Sequence, residues 1–559
     1  MPGNLRSLRK SFSRFNASRF NVSTKHGLCF LLVLAGLHGL AQASPAVLDT
    51  NLQLRLVLYT TNSSGAPSIR IAKDPRNQQL YYLKENGDIF QLNLSSGTGS
   101  TSTRLYSAAN HGISGSALGM AIGPDGTIYI VGNTTTNSGN TTFARVMKGV
   151  PASTGGRTWS VLAQTEPYPL SRTAFDHLMS GLAVSPDGQF LFLNSGSRTD
   201  HGEIESTSGL YPGLRDTALT AKIFRLPAQG SNLFLTNDIN ALRSAGYVFA
   251  EGTRNAFSLS FAPNGDLFGI DNGPDRDMSD ELNWLRPGLH FGFPWRMGGT
   301  DNPQQFPGYN PANDRLLDPR FVAVSSGKYQ NDPAFPPPPT NFFEPVISVG
   351  PDADSYRDPT DGSIKDASAL GQTISTFTAH RSPLGLVFDI SSAMAPPYQG
   401  HGFMLSWTQG DPNGNSVPGP FMDPSQDMVD LDLSPLGTNY QVRVKRIVGG
   451  FSNPIDAAII SNKVYAIEYS GNQGIWEITF PPALPRINIS QATWSANGGF
   501  SFSFASVAGQ TYQIQVSTNL LDWASQGSAV ATNGTFQFID PGATNFPQRF
   551  YRVASPPKP

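Results

Sequence analysis

Between Glu251 and Trp295 the chain reads EGTRNAFSLSFAPNGDLFGIDNGPDRDMSDELNWLRPGLHFGFPW. That stretch holds Arg254-Asn255, Asn272-Gly273-Pro274, the carboxylates Asp275, Asp277, Asp280 and Glu281, and Gly292-Phe293-Pro294-Trp295. An ordinary core strand has no use for such a density of glycine, proline and fixed charge. A guanidinium fork suits a carboxylate ligand, or a structural mate at Asp280 or Glu281. The acidic run could supply oxygen to a hard cation, yet it does not fit the EF-hand loop. A solvated or Arg-paired cluster explains it as well. Upstream, DHLMSGLAVSPDG places His177 at a strand entrance. Imidazole titrates near neutrality and can take a proton around pH 7, although an ordinary polar residue also suits that place. His201-Gly202-Glu203 reads as a polar loop. No G-x-S-x-G, H-E-x-x-H, paired-cysteine or P-loop pattern occurs, which leaves serine-hydrolase, zinc-protease and nucleotide chemistry without a foothold.

These residues need a scaffold, and the repeats supply one. A small apolar strand, a Pro-Asp/Asn-Gly turn and an aromatic strand recur at Ile71, Gly119, Gly181 and Ser258, with degenerate copies at Pro383 and Asp456. Asp-Gly and Asn-Gly give the positive φ of tight hairpins. Six units, each too small to bury its own face, predict an all-β chain built as a six-bladed β-propeller over residues 44–480. A Pro-, Asn- and Asp-rich insertion at about 301–377 is expected to form a lid or rim. FPPALP provides a linker at 481–485, and alternating apolar and polar residues over 486–559 predict a small β-sandwich with Tyr512 and Trp523 in its core.

Charged residues make up only 14% of the chain, with a net charge of −2, and no basic block offers a nucleic-acid surface. Residues 1–43 read as a signal peptide: a basic start, an apolar run from Leu28 to Leu40, and Ala41-Gln42-Ala43 as the cleavage site. The single cysteine, Cys29, falls inside that run. The mature chain is therefore expected to be secreted or periplasmic, with no thiol and no membrane anchor.

The 251–295 segment and the repeats resemble the glucose/sorbosone dehydrogenase family, soluble sugar dehydrogenases that bind pyrroloquinoline quinone (PQQ) and calcium on a six-bladed propeller. The resemblance implies oxidation of a sugar or aldose hydroxyl, with electrons passed to an external acceptor. It makes His177 the base, Arg254 with Asn255 the anchor for PQQ, and the carbonyls of Gly273 and Pro274 calcium ligands. The sequence departs from the family at several places. Gly181 stands where an Arg is expected, and Ser197 stands where an Asp should orient the imidazole, with Asp200 close enough to substitute. SWTQGD (406–411) and GFSNPIDAA (450–458) lack the family's later cations, for which Lys445 or Arg446 are the available replacements. The alternative is a non-catalytic propeller that binds carbohydrate or protein, with possible glycan contact through the C-terminal domain.

Overall fold

The computed structural model describes residues 44–62, 65–97, 99–408, 421, 423–483, 487–494 and 498–555. The leader read at 1–43, part of the linker and residues 409–411 of the SWTQGD match lie outside them. The chain divides into two compact units between Pro481 and Pro482.

The larger unit is a β-propeller. Its repeats become six strands, here called β1 (Ser68–Asp74), β2 (Ala117–Ile122), β3 (Met179–Val184), β4 (Ser258–Phe261), β5 (Pro383–Phe388) and β6 (Pro454–Ile460). Each begins its own sheet and pairs antiparallel with the next strand, and β1 to β6 touch in cyclic order with β6 returning to β1. The sheet that begins with β6 ends on Gln53–Tyr59, which pairs with Gly474–Thr479. A strand from the start of the unit thus completes its last sheet and ties the ring shut, leaving no open seam.

The predicted Pro-Asp/Asn-Gly turns follow β2, β3 and β4, and their glycines Gly126, Gly188 and Gly265 all have positive φ. Apolar clusters fill the wedges between neighbouring sheets. Ile71, Met120, Leu384 and Ile467 belong to one, and Phe192, Leu259 and Leu285 to another. Burying each such side chain contributes about 1.5–3 kcal/mol. Near the axis the strands approach so closely that a Cβ at Gly119 would sit 1.9 Å from the Ser180 carbonyl oxygen. One at Gly181 would sit 2.7 Å from that of Phe257. The arginine expected at Gly181 therefore has no room in this ring.

The 301–377 insertion carries short structure of its own. It includes a helix at Val322–Ser325, a strand at Ile347–Pro351 pairing in parallel with Asn439–Gly449, and a hairpin of Ser355–Arg357 with Ile364–Asp366.

The smaller unit has two three-stranded sheets. Ser490–Trp494, Phe500–Ala505 and Thr535–Asp540 form one; Thr511–Ser517, Ala524–Val530 and Phe550–Ala554 form the other. Phe502 and Phe504 from the first sheet and Tyr512 and Ile514 from the second share one core. Trp523 stays partly exposed under the Arg552 guanidinium, 4.2 Å from its ring centre, so the expectation of a core position is corrected. No helix among the described residues is long and apolar enough to cross a membrane.

Candidate active site

All five site residues picked from the sequence lie at one end of the ring, where β3, β4 and β5 begin. His177 stands just before β3 and Arg254-Asn255 just before β4, while Gly273 and Pro274 follow the neighbouring strand Leu267–Asp271. Backbone bonds knit them together. The His177 N–H donates to the Ser197 carbonyl at 2.8 Å, and the Ser197 N–H donates to the Arg254 carbonyl at 2.7 Å. The Asp271 carboxylate accepts the N–H groups of both Arg254 and Asn255. The Gly273 N–H donates to Asp280 at 2.6 Å. No described hydrogen bond ends on the carbonyls of Gly273 or Pro274.

The partners correct several expectations. Arg254 is buried and pairs neither with Asp280 nor with Glu281. It donates from NH2 to Asp200 Oδ1 at 2.8 Å, from Nε to the Asp200 carbonyl at 2.7 Å and from NH1 to the Asn272 carbonyl at 3.2 Å. Asp200 consequently does not take over the orientation of His177. Its other oxygen faces His201 Nδ1 at 2.9 Å and the Tyr329 hydroxyl at 3.1 Å. Ser197 Oγ lies near the His177 ring, 3.4 Å from Nδ1.

His201 and Glu203 lie in a loop, as expected, but both are buried. Tyr329, from the insertion, stacks on His201 with ring centres 3.7 Å apart. Burial pulls the His201 pKa down, but Glu203 and Asp200 outweigh it and leave the imidazole above its ordinary value. Burial likewise pushes Asp200 up, but His201 and Arg254 reverse this and hold its carboxyl well below the usual range.

The acidic run is buried, not solvated. Asp275 receives the Ala323 N–H at 2.8 Å, and Asp277 binds Arg357 Nε at 2.6 Å and faces His380 Nε2 at 2.7 Å. Asp280 receives the N–H groups of Gly273 and Ser382. Glu281 receives the Gly298 N–H at 2.6 Å. Burial, with nearby Asp271, drives the Glu281 pKa well above normal, and burial lifts Asp271 to about 7 against the N–H bonds that lower it. Among the described residues no three His, Cys, Asp or Glu side chains converge as a metal site.

Lys445 and Arg446, the available replacement cations, and Arg381 all have acidic partners. Arg381, ahead of β5, forks onto Asp427 at 2.6 and 2.7 Å and reaches Asp423 at 2.6 Å. Lys445 pairs with Asp49 and Arg446 with Asp427. Residues 409–422 contain no Lys or Arg at all. Phe321 packs against His380 with ring centres 4.1 Å apart, so the insertion closes over this end of the ring. Of the family's charge partners for a tricarboxylate such as PQQ, this chain keeps Arg254, which would have to be released from Asp200 to hold one. The one matched cation is already neutralised, and its surroundings are covered.

Residues 75–326 match the family model described as Glucose / Sorbosone dehydrogenase. That model is of the family whose motifs the sequence resembles. No curated protein sequence matches the chain. Among solved structures, the soluble aldose sugar dehydrogenase of Escherichia coli in its apo form is 14% identical, covering 77% of this chain and 99% of that one at a TM-score of 0.47. The PQQ-bound aldose sugar dehydrogenase of Streptomyces coelicolor is 15% identical, covering 78% and 99% at 0.42. The holo PQQ domain of Coprinopsis cinerea pyranose dehydrogenase is 13% identical, covering 78% and 97% at 0.45. Within this glucose/sorbosone dehydrogenase match fall His177, Arg254, Asn255, Gly273 and Pro274, together with Asp200 and part of the insertion.

Proposed function

We propose that this chain oxidises a sugar or aldose hydroxyl at the His177–Arg254 end of a six-bladed propeller. The carrying observation is convergence: residues spread from 177 to 274 meet through Ser197 and Asp271 at one end of the ring. His177 is the group to take the hydroxyl proton, with Ser197 Oγ beside its other nitrogen. Arg254 is the group to hold an anionic cofactor, which requires Asp200 to release it. The uncommitted carbonyls of Gly273 and Pro274 suit a calcium ion. PQQ, calcium, an external electron acceptor and a secreted or periplasmic location complete the proposal, with the C-terminal unit read as an appended β-sandwich open to glycan contact.

The Asp200–Arg254 pair also favours a second reading, a non-catalytic member of the same family that binds carbohydrate or protein. Titrating PQQ into the purified protein, with calcium and with chelator, and then assaying dye reduction over an aldose panel separates the two. Saturable, calcium-dependent binding with dye reduction supports the oxidoreductase. No binding at micromolar PQQ leaves the binding protein.

A further inference from the structure

The other end of the same strands encloses a cavity that the sugar-oxidising reading does not use. All six inner strands line it, over a volume of about 730 Å³, within the range of small-molecule sites. Exposed turn residues Pro124, Pro186 and Pro263 form its rim, so it opens to solvent at the turn end. The walls are largely apolar, with Ile122, Leu182, Phe261 and Phe388 among them.

Three charged groups line it. Arg70 is fully engaged: Nε donates to the Leu118 carbonyl, NH1 to Ser258 Oγ and NH2 to the Phe257 carbonyl. Asp456 lies 3.8 Å from Arg70 and receives the Ile71 N–H at 2.9 Å. Lys73 differs, for among the described residues its ammonium has no hydrogen-bond or ion-pair partner. The acid acting on it, Asp389, already receives the N–H groups of Ala393, Met394 and Gly400. A half-buried ammonium without a mate, facing an apolar cavity, is costly unless an anion completes it. Burial lowers the Lys73 pKa, with Asp389 only partly offsetting it.

We propose that this cavity binds a small amphiphilic acid, its carboxylate on Lys73 and its apolar body against the inner-strand side chains. Charge complementarity selects the head group: two cations face one acid in the cavity, and only Lys73 has donors to spare. The apolar walls select the tail.

The test is calorimetric titration of the full-length protein with decanoate, with uncharged decanol, and with 2-naphthoate as the aromatic arm. The expected result is that decanoate or 2-naphthoate binds at least tenfold tighter than decanol. Lys73→Met should weaken the acids roughly tenfold, the size of one lost charge-assisted bond, and leave decanol unchanged. Preference between the two acids identifies an alkyl or an aromatic ligand. Should Lys73→Met not fold, Lys73→Arg, which keeps the charge, must retain acid binding, and Ile122→Trp must block it by filling the space. Equal affinity for acid and alcohol, no binding of either acid, or acid binding indifferent to Lys73→Met or Ile122→Trp overturns the proposal. Because the cavity lies at the opposite end of the strands, loss of PQQ binding in Arg254→Ala leaves this result untouched.

Discussion

Asp200 holds Arg254 twice: its side-chain Oδ1 accepts from NH2 at 2.8 Å, and its backbone carbonyl accepts from Nε at 2.7 Å. The carboxylate competes with any anionic cofactor for the one matched cation. Asp200→Asn keeps the shape and removes the charge. PQQ affinity is predicted to rise roughly tenfold as the guanidinium is released. Stability should fall by about 3–5 kcal/mol, because a buried charge loses its mate. Calorimetric titration measures the first and urea unfolding the second. Weaker PQQ binding in this variant would exclude competition.

Stability should also fall from mildly acidic to mildly alkaline pH. Asp271 has a folded pKa of about 7, raised by burial, against an ordinary 3.8. Between those values the folded chain keeps a proton that the unfolded chain has lost, so stability declines as pH rises through that window. Asp176 and Asp456, both lifted by burial to about 6, act in the same direction. His290, pulled by burial to about 4, opposes them, because its neutral form is lost as pH falls. With three carboxyls and the raised Glu281 against it, the urea midpoint is predicted to be higher near about pH 5 than about pH 7.5. Asp271→Asn should narrow that difference, and an unchanged profile would remove Asp271 as a source.

The insertion shields the site through Tyr329. Its ring covers His201 at 3.7 Å, and its hydroxyl reaches Asp200. Tyr329→Ala deletes a buried aromatic and should cost about 3–5 kcal/mol. It should also expose His201 to diethyl pyrocarbonate, read by mass spectrometry as a labelled peptide absent from the wild type. Protection of His201 in the variant would show that other groups cover it.

Ring closure near the axis depends on small residues. A Cβ at Gly119 meets the Ser180 carbonyl oxygen at 1.9 Å and Val131 at 2.7 Å. Gly119→Ala should therefore destabilise the propeller by about 1–3 kcal/mol or more through overpacking, measured by thermal unfolding. A neutral substitution would mean that β2 and β3 can separate freely.

The architecture was legible because it rests on local grammar. Apolar strands with Pro-Asp-Gly turns mark β2 and β3 residue by residue, and the copies at Ile71, Pro383 and Asp456 also became inner strands. Of the candidate site, the sequence marks residues but not their partners. It offers Asp280 or Glu281 as the mate of Arg254, whereas the mate is Asp200, across the sheet boundary. No periodicity reports such a contact between loops. The sequence leaves the acidic run as either a solvated loop or an Arg-paired cluster, because charge density says nothing about burial. The structure spends those carboxylates on backbone N–H groups and on Arg357. Gly181 looked like a lost cation, when the packing of β3 against Phe257 leaves no space for one.

The central claim, that the His177–Arg254 end is the working face, is tested most directly by titrating PQQ into wild-type protein and Arg254→Ala in calcium. The account predicts saturable binding to the wild type and loss of at least tenfold in affinity in the variant. Identical curves, or no binding to either protein, would contradict it.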